Sequence, residues 1–190
     1  MAQVARHVAS QVLSLNGERI ILPNTAVAEI IPYVMADSLS ENMKKAAPAW
    51  LLGMIAWRGI SVPLLSMETM LGSEYEQPDK RSSIAVINAI GDTAGVPFFA
   101  IVTQGIPRLL QVTGDTLNLI EESGDSHKAA ACHVVLEGDV AIIPDMDAVE
   151  AMLKQAFETK KPTIKKVETK PKKKTESKKK TKTENKKKKK

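Results

Sequence analysis

The stretch Trp50-Leu51-Leu52-Gly53-Met54-Ile55-Ala56-Trp57-Arg58-Gly59-Ile60-Ser61-Val62-Pro63-Leu64-Leu65 decides the fold. Two apolar runs of strand length flank Arg58-Gly59, a dipeptide suited to a turn. A related pattern recurs. Gly59-Ile60-Ser61-Val62-Pro63-Leu64-Leu65-Ser66-Met67-Glu68-Thr69-Met70 is followed, 79 residues later, by Gly138-Asp139-Val140-Ala141-Ile142-Ile143-Pro144-Asp145-Met146-Asp147-Ala148-Val149. Each copy reads as a turn glycine, a buried strand, a small polar helix cap (Ser66 or Asp145), a methionine, an acid and a short amphipathic piece. Any strand-to-helix junction can look this way. The spacing of half a domain nevertheless favours a two-lobed β structure with related lobes.

Outward from this stretch the chain continues as short strands. Gln11–Leu15 and Glu18–Leu22 flank Asn16-Gly17, a hairpin signal. Val27 to Tyr33 is a further apolar run. Ser38 with Glu41 forms a possible capping box for a short helical turn. Ser83 to Ala89, Pro97 to Val102 and Leu109 to Val112 read as separate strands, with Gly91-Asp92, Gly105 and Gly114-Asp115 between and after them. Ala130 to Leu136 and Val140 to Ile143 make a second hairpin around Glu137-Gly138-Asp139. From Asp145 onward, Met146, Val149, Met152, Leu153, Ala156 and Phe157 form one helical stripe, with Pro162 beyond its end. Many short strands at turn-punctuated intervals favour small barrels or a sandwich over a parallel α/β sheet.

Charge divides the chain in two. Residues 159–190 carry seventeen of its twenty-seven basic residues and three of its twenty-two acidic ones, a net charge of +14, leaving −9 on the rest. A uniformly basic nucleic-acid-binding fold is therefore disfavoured, and seven aromatic residues are few for base stacking. The tail is nearly all Lys, Thr, Glu, Pro and Ser and is expected to be disordered. It could associate weakly with anionic membrane surfaces or with polyanions, including nucleic acid, or dock on the acidic body. The expected organisation is an N-terminal extension at 1–9, a domain at 10–158 and a lysine-rich tail at 159–190.

One cysteine, Cys132, rules out an intramolecular disulfide. Arg6, His7, Ser10, Gln11 and Ser14 break any signal-peptide core, and no window reaches the roughly 18 to 20 apolar residues of a membrane span. A cytoplasmic protein is expected. No phosphate-cradling glycine loop occurs. His127, Cys132 and His133 are too few for a tetrahedral zinc site. On a strand, Cys132 and His133 point to opposite faces, which also disfavours a Cys–His nucleophile. Glu121 and Glu122, beside Ser123-Gly124-Asp125, read as a solvated loop. The body reads as a binding module, with no catalytic residue, cofactor, metal or small-molecule substrate.

The stretch from Trp50 to Leu65 resembles the CheW-like domain of bacterial chemosensory coupling proteins, in which an apolar strand with a glycine is followed by Arg-Gly and a run containing Val-Pro. Val27-Ala28-Glu29-Ile30 is similar to the family's Val-x-Glu-Val/Ile, and the resemblance covers residues 10–155. Pro48-Ala49-Trp50-Leu51-Leu52-Gly53 looks most like ChpC-type members, which serve systems controlling type IV pili. The resemblance implies a mainly β fold of two SH3-like five-stranded barrels around a shared core, with a short C-terminal helix. It implies a non-enzymatic adaptor that joins the cytoplasmic tip of a chemoreceptor, held in the groove between the barrels, to a CheA-type histidine kinase packed on barrel ends. Glu29 and Arg58 match an ion pair that shapes the receptor-facing surface. Gly53 and Gly59 match positions where a side chain would crowd a partner or a turn, and Val62 and Pro63 match the groove wall. Three features depart from the family: Ala56-Trp57 replaces Asn-Leu, Ser66 stands where Asp is common, and an acid is missing near Val102-Thr103. Trp50 and Trp57 would be partner anchors if exposed, with burial the expectation for at least one.

Overall fold

Turn residues bound most strands, while burial alternates cleanly along some and is continuous along those between the lobes. The computed structural model describes residues 7–45, 47–91, 93, 95–120 and 127–158. The expected loop around Glu121, Glu122 and Asp125, Asp92 of the Gly91-Asp92 break, Pro162 and the lysine-rich tail lie outside the described residues. Strand β1 (Val8–Ser14) pairs antiparallel with β2 (Arg19–Pro23). β1 thus starts inside the expected N-terminal extension. Of Asn16-Gly17, only Gly17 is left-handed, with φ +76°. β3 (Val27–Pro32), a short helix α1 (Glu41–Lys44), β4 (Leu51–Trp57), β5 (Ile60–Leu65) and a second short helix α2 (Met67–Met70) follow. Helix α1 begins after Ser40, so the expected capping box from Ser38 does not form.

β6 (Ser82–Asn88) leads to β7, which runs unbroken for 15 residues from Phe98 to Val112. Two separate strands were expected here, divided by Gly105. Instead Gly105 takes φ +68° within the strand, and the chain bends there rather than stopping. Between its partners Gln104↔Ser14 and Arg108↔Val12, β7 advances four residues while β1 advances two. The described residues close with β8 (Leu117–Ile120), which the sequence reading missed, then β9 (Ala130–Leu136), β10 (Asp139–Pro144) and helix α3 (Met146–Glu158).

The bend in β7 joins two lobes into one sheet path. Its first half pairs with β6 and, in parallel, with β5, completing a first lobe of β3, β6, β7, β5 and β4. Its second half pairs with β1, opening a second lobe of β7, β1, β2, β10, β9 and β8. The first lobe has the five strands expected. The second adds β8.

Strands between the lobes bury both faces, which is why their sequences are continuously apolar. On β6, Ala85 and Ile87 face a central core shared by both lobes, while Ile84 and Val86 face the first lobe's interior. On β2, Ile20 and Leu22 enter the shared core and Ile21 the second lobe's interior. Phe99, Leu13 and Leu153 are fully buried in the shared core. Burying one such side chain contributes about 1.5–3 kcal/mol.

The two strand–cap–helix junctions form as the repeat predicts. The Thr69 N–H donates to Ser66 Oγ at 3.1 Å, and the Ala148 N–H to Asp145 Oδ1 at 2.9 Å. Each helix carries a buried glutamate that reaches into the other lobe. Glu68 Oε1 accepts from the Asn16 N–H at 3.3 Å, in the β1–β2 turn. Glu150 accepts from the Ile90 and Gly91 N–H groups at 2.8 and 2.6 Å, in the β6–β7 loop. Buried carboxylates need such partners, and here the partners lock the lobes together.

Candidate functional site

Three side chains from β3 and the β4–β5 hairpin meet at the open side of the first lobe, where β3 pairs only with β6 and β4 only with β5. Arg58 and Gly59 are both left-handed, with φ +48° and +79°, as a two-residue hairpin of right-handed twist requires. The turn directs the Arg58 guanidinium back over β3. Glu29 Oε2 then accepts hydrogen bonds from Arg58 Nε at 3.1 Å and the Trp57 indole Nε1 at 2.8 Å, and Arg58 Nη2 lies 3.0 Å from it in the same ion pair. The expected pairing of guanidinium and carboxylate is present, but it converges on one oxygen rather than spanning both.

Trp57 supports this cluster from below. Only 8% of it is exposed, and its ring meets Phe98 edge-on at 4.9 Å. The Arg58 guanidinium carbon lies 4.9 Å from the centre of the same ring, a cation–π contact. Arg58 remains 67% exposed and Glu29 36%. Trp57 joins the site without having been expected there, since it stands where the family has leucine. Trp50 is also buried, in the shared core, so neither tryptophan is an exposed anchor.

The remaining expected site residues divide between turn and interior. Gly59 is a turn glycine with open space around it. A Cβ at Gly53 would lie 2.6 Å from the Asp37 carbonyl oxygen and 2.8 Å from Ala36 Cβ. This chain's own segment, bridged to β4 through Asp37 and Met54, therefore occupies the space expected for a partner. Val62 is 1% exposed inside the first lobe, and Pro63 is buried opposite Met54. Both were matched to a groove wall, with core packing expected to be the main role of Val62. They shape it only from beneath, because the continuous burial of β5 turns them inward.

The 79-residue spacing yields a finding that the sequence reading missed. Moving 79 positions from Glu29 and Arg58 leads to Arg108 and Glu137, and these also pair, Arg108 Nη2 to Glu137 Oε2 at 2.9 Å. Glu137 and Gly138 repeat the left-handed turn, at φ +54° and +89°. The charges are reversed. The repeat was recognised from similar residue types, whereas this pair matches by opposition. Tracing Glu29 and Arg58 through the known spacing would have found it.

The other polar groups assemble elsewhere. Cys132 lies opposite Ile143 and packs against the second lobe's core, while His133 lies opposite Ile142, so the two point to opposite faces as expected. His127 lies against Gly72. Among the described residues, no group of three or more His, Cys, Asp or Glu is placed to hold a metal ion. Clefts of about 480 Å³ lie beside Glu18, Arg19 and Asp139, and beside Tyr33, Asp79 and Lys80. Burial, then the nearby Tyr33 and Glu68, push the Tyr75 hydroxyl up to about 12. No described helix is long and apolar enough to cross a membrane.

Comparison with known proteins places this geometry. The model of the CheW-like domain matches residues 11–153. Solved structures match as well, among them the scaffolding protein TtCheW from Thermoanaerobacter tengcongensis. It is 16% identical, with a TM-score of 0.60 over 74% of this chain and 90% of that one, a likeness of fold. No curated protein sequence matches.

Proposed function

The chain belongs to the CheW-like domain family, and from that premise we propose that it is a non-enzymatic adaptor joining chemoreceptors to a CheA-type histidine kinase. One observation carries the residue-level reading. Glu29 and Arg58, which match the family's ion pair in the sequence, meet at 3.0 Å on the rim of the first lobe. Arg58 stays accessible there, and the pair is held from beneath by a packed ring. The receptor's cytoplasmic tip contacts this rim and the neighbouring groove, and the kinase's CheW-like domain packs on a lobe end. Function then lies in geometry, with no bond made or broken, and the protein works at receptor arrays on the inner face of the membrane. The wording Pro48-Ala49-Trp50-Leu51-Leu52-Gly53 supports an accessory role of the ChpC type, in a system that governs type IV pili and twitching motility.

The test is co-sedimentation of the full chain with receptor-bearing membranes and the kinase, with Arg58→Glu as control. Wild type is expected in the pellet and Arg58→Glu depleted from it. A folded wild-type protein that binds neither partner at low salt would overturn the reading. The +14 charge of residues 159–190 supports a separate, salt-sensitive attraction to anionic lipid or other polyanions. Deleting those residues is expected to abolish polyanion binding and leave adaptor binding intact. The reverse result would make the tail the functional part and the body its scaffold.

A further inference from the structure

We infer that Trp57 is the positioning residue of the first-lobe face: its buried indole sets Arg58 and Glu29 in the arrangement that a partner meets. This rests on the adaptor reading above and deepens it. Trp57 is too buried to anchor a partner itself. What it contributes is order. An arginine side chain has many rotamers, and a binding partner must immobilise them unless the protein has already done so. Here the indole N–H fixes the same Glu29 oxygen that holds Arg58, and the indole ring lies beside the guanidinium. Phe98 holds the ring edge-on, so the support is itself rigid.

The second lobe provides an internal control. At the position 79 residues after Trp57 stands Leu136, which is buried in that lobe's core and has no side-chain N–H to offer. The pair beside it, Arg108 and Glu137, has the charges reversed and meets through Arg108 Nη2 and Glu137 Oε2 at 2.9 Å, with the side chains 61% and 53% exposed. Among the described residues, the same backbone turn without tryptophan gives a pair whose carboxylate receives no indole N–H and whose guanidinium has no aromatic ring beside it. The geometry assigns the difference to Trp57, and the ligand it serves is a receptor segment that presents acceptor groups, such as carboxylates or backbone carbonyls, to Arg58.

The experiment measures binding of the full chain to vesicles carrying the receptor's cytoplasmic hairpin, alongside the melting temperature. Trp57→Phe retains an aromatic ring under Arg58 and removes the N–H to Glu29. It is expected to weaken binding about three- to tenfold, the order expected when a few rotamers must be fixed on binding. Trp57→Leu copies the second lobe and is expected to weaken it further. The decisive arm is the Arg58→Ala background. There Trp57→Phe is expected to cost nothing more in binding while lowering the melting temperature as it does in wild type. A structural role alone would lower binding equally in both backgrounds, and that result would overturn the inference, as would wild-type binding by Trp57→Phe. If Arg58→Ala itself binds like wild type, the first-lobe face falls, and the role of Trp57 falls with it. In the free protein, Glu29→Gln is expected to shift the Trp57 indole N–H resonance, and an unmoved resonance would also count against the inference.

Discussion

The β4–β5 and β9–β10 hairpins share one design and have diverged in what they hold. Both turn through two left-handed residues, both lead through a buried strand to a capped helix, and both cross the lobe with an ion pair. In the first lobe the guanidinium and an indole N–H converge on one carboxylate oxygen above a packed ring. In the second, one guanidinium meets one carboxylate in solvent. The comparison teaches that the backbone supplies the placement of charges, while a single buried side chain decides whether that placement is rigid.

Both lobes depend on the shared core, so the comparison is broken most completely there. Phe99→Ala should cost about 3–5 kcal/mol, the range for deleting a buried aromatic side chain. Because Phe99 contacts a core fed by both lobes, the loss should appear as one cooperative transition shifted to lower denaturant. Separate transitions for the lobes would show that each lobe stands alone.

The reciprocal glutamates test the same union with a smaller effect. Glu150 accepts two short bonds from the β6–β7 loop, whereas Glu68 accepts one longer bond from the β1–β2 turn and one at 3.0 Å from the Ser66 hydroxyl of its own helix cap. Glu150→Ala should therefore cost about 2–4 kcal/mol, since it strands two N–H groups, and Glu68→Ala about half of that. Amide exchange at Ile90 and Gly91 should accelerate in the first variant alone. Equal costs would mean that the buried charge, not the number of backbone N–H groups left unpaired in the other lobe, sets the penalty.

How much of this could be read in advance follows the range of the interactions. Turn residues act locally, so Arg58-Gly59, Glu137-Gly138 and the caps Ser66 and Asp145 were legible from a few neighbouring letters. The Ser38 capping box was equally local and failed, because Ser40 lies nearer the helix start. Gly105 read as a break because a glycine that ends a strand and one that bends it look alike in sequence. β8 was hidden by its four-residue length. At the site, Glu29 and Arg58 came from a family pattern. Trp57 did not, because its bond to Glu29 spans 28 residues and departs from that pattern. Core packing of Val62 was legible in its apolar run, but the inward turn of Pro63 depended on which β5 face meets which core, and a doubly buried strand conceals that.

Gly53 sharpens the contrast between the hairpins at a smaller scale. The residue 79 positions later is Cys132, which carries a side chain without difficulty. Gly53 cannot, because the Asp37 carbonyl lies where its Cβ would go and its φ of +156° suits glycine. Gly53→Ala should cost about 1–3 kcal/mol, as overpacking does, and should displace the 36–37 segment. Cys132→Ala only trims a half-buried thiol and should cost less. If the two costs are equal, the close approach at Gly53 is relieved by ordinary relaxation.

The smallest effect on stability is expected at the ion pairs, and it bears most directly on function. Both pairs are substantially exposed, so each contributes roughly 0–1 kcal/mol. Reversing the second pair, Arg108→Glu with Glu137→Arg, should barely move the melting temperature, whereas reversing the first, Glu29→Arg with Arg58→Glu, should lower it through the indole bond it removes. In the second lobe the reversal should change little else, because one solvent-exposed contact can be rebuilt with either polarity. In the first it cannot, since the Trp57 N–H would face a guanidinium, a donor against donors. Receptor binding should therefore fall on reversal of the first pair and survive reversal of the second, measured below the melting transition of both variants. Were the first lobe to tolerate reversal too, rigidity beneath Arg58 would not matter, and the two hairpins would differ in sequence without differing in what they do.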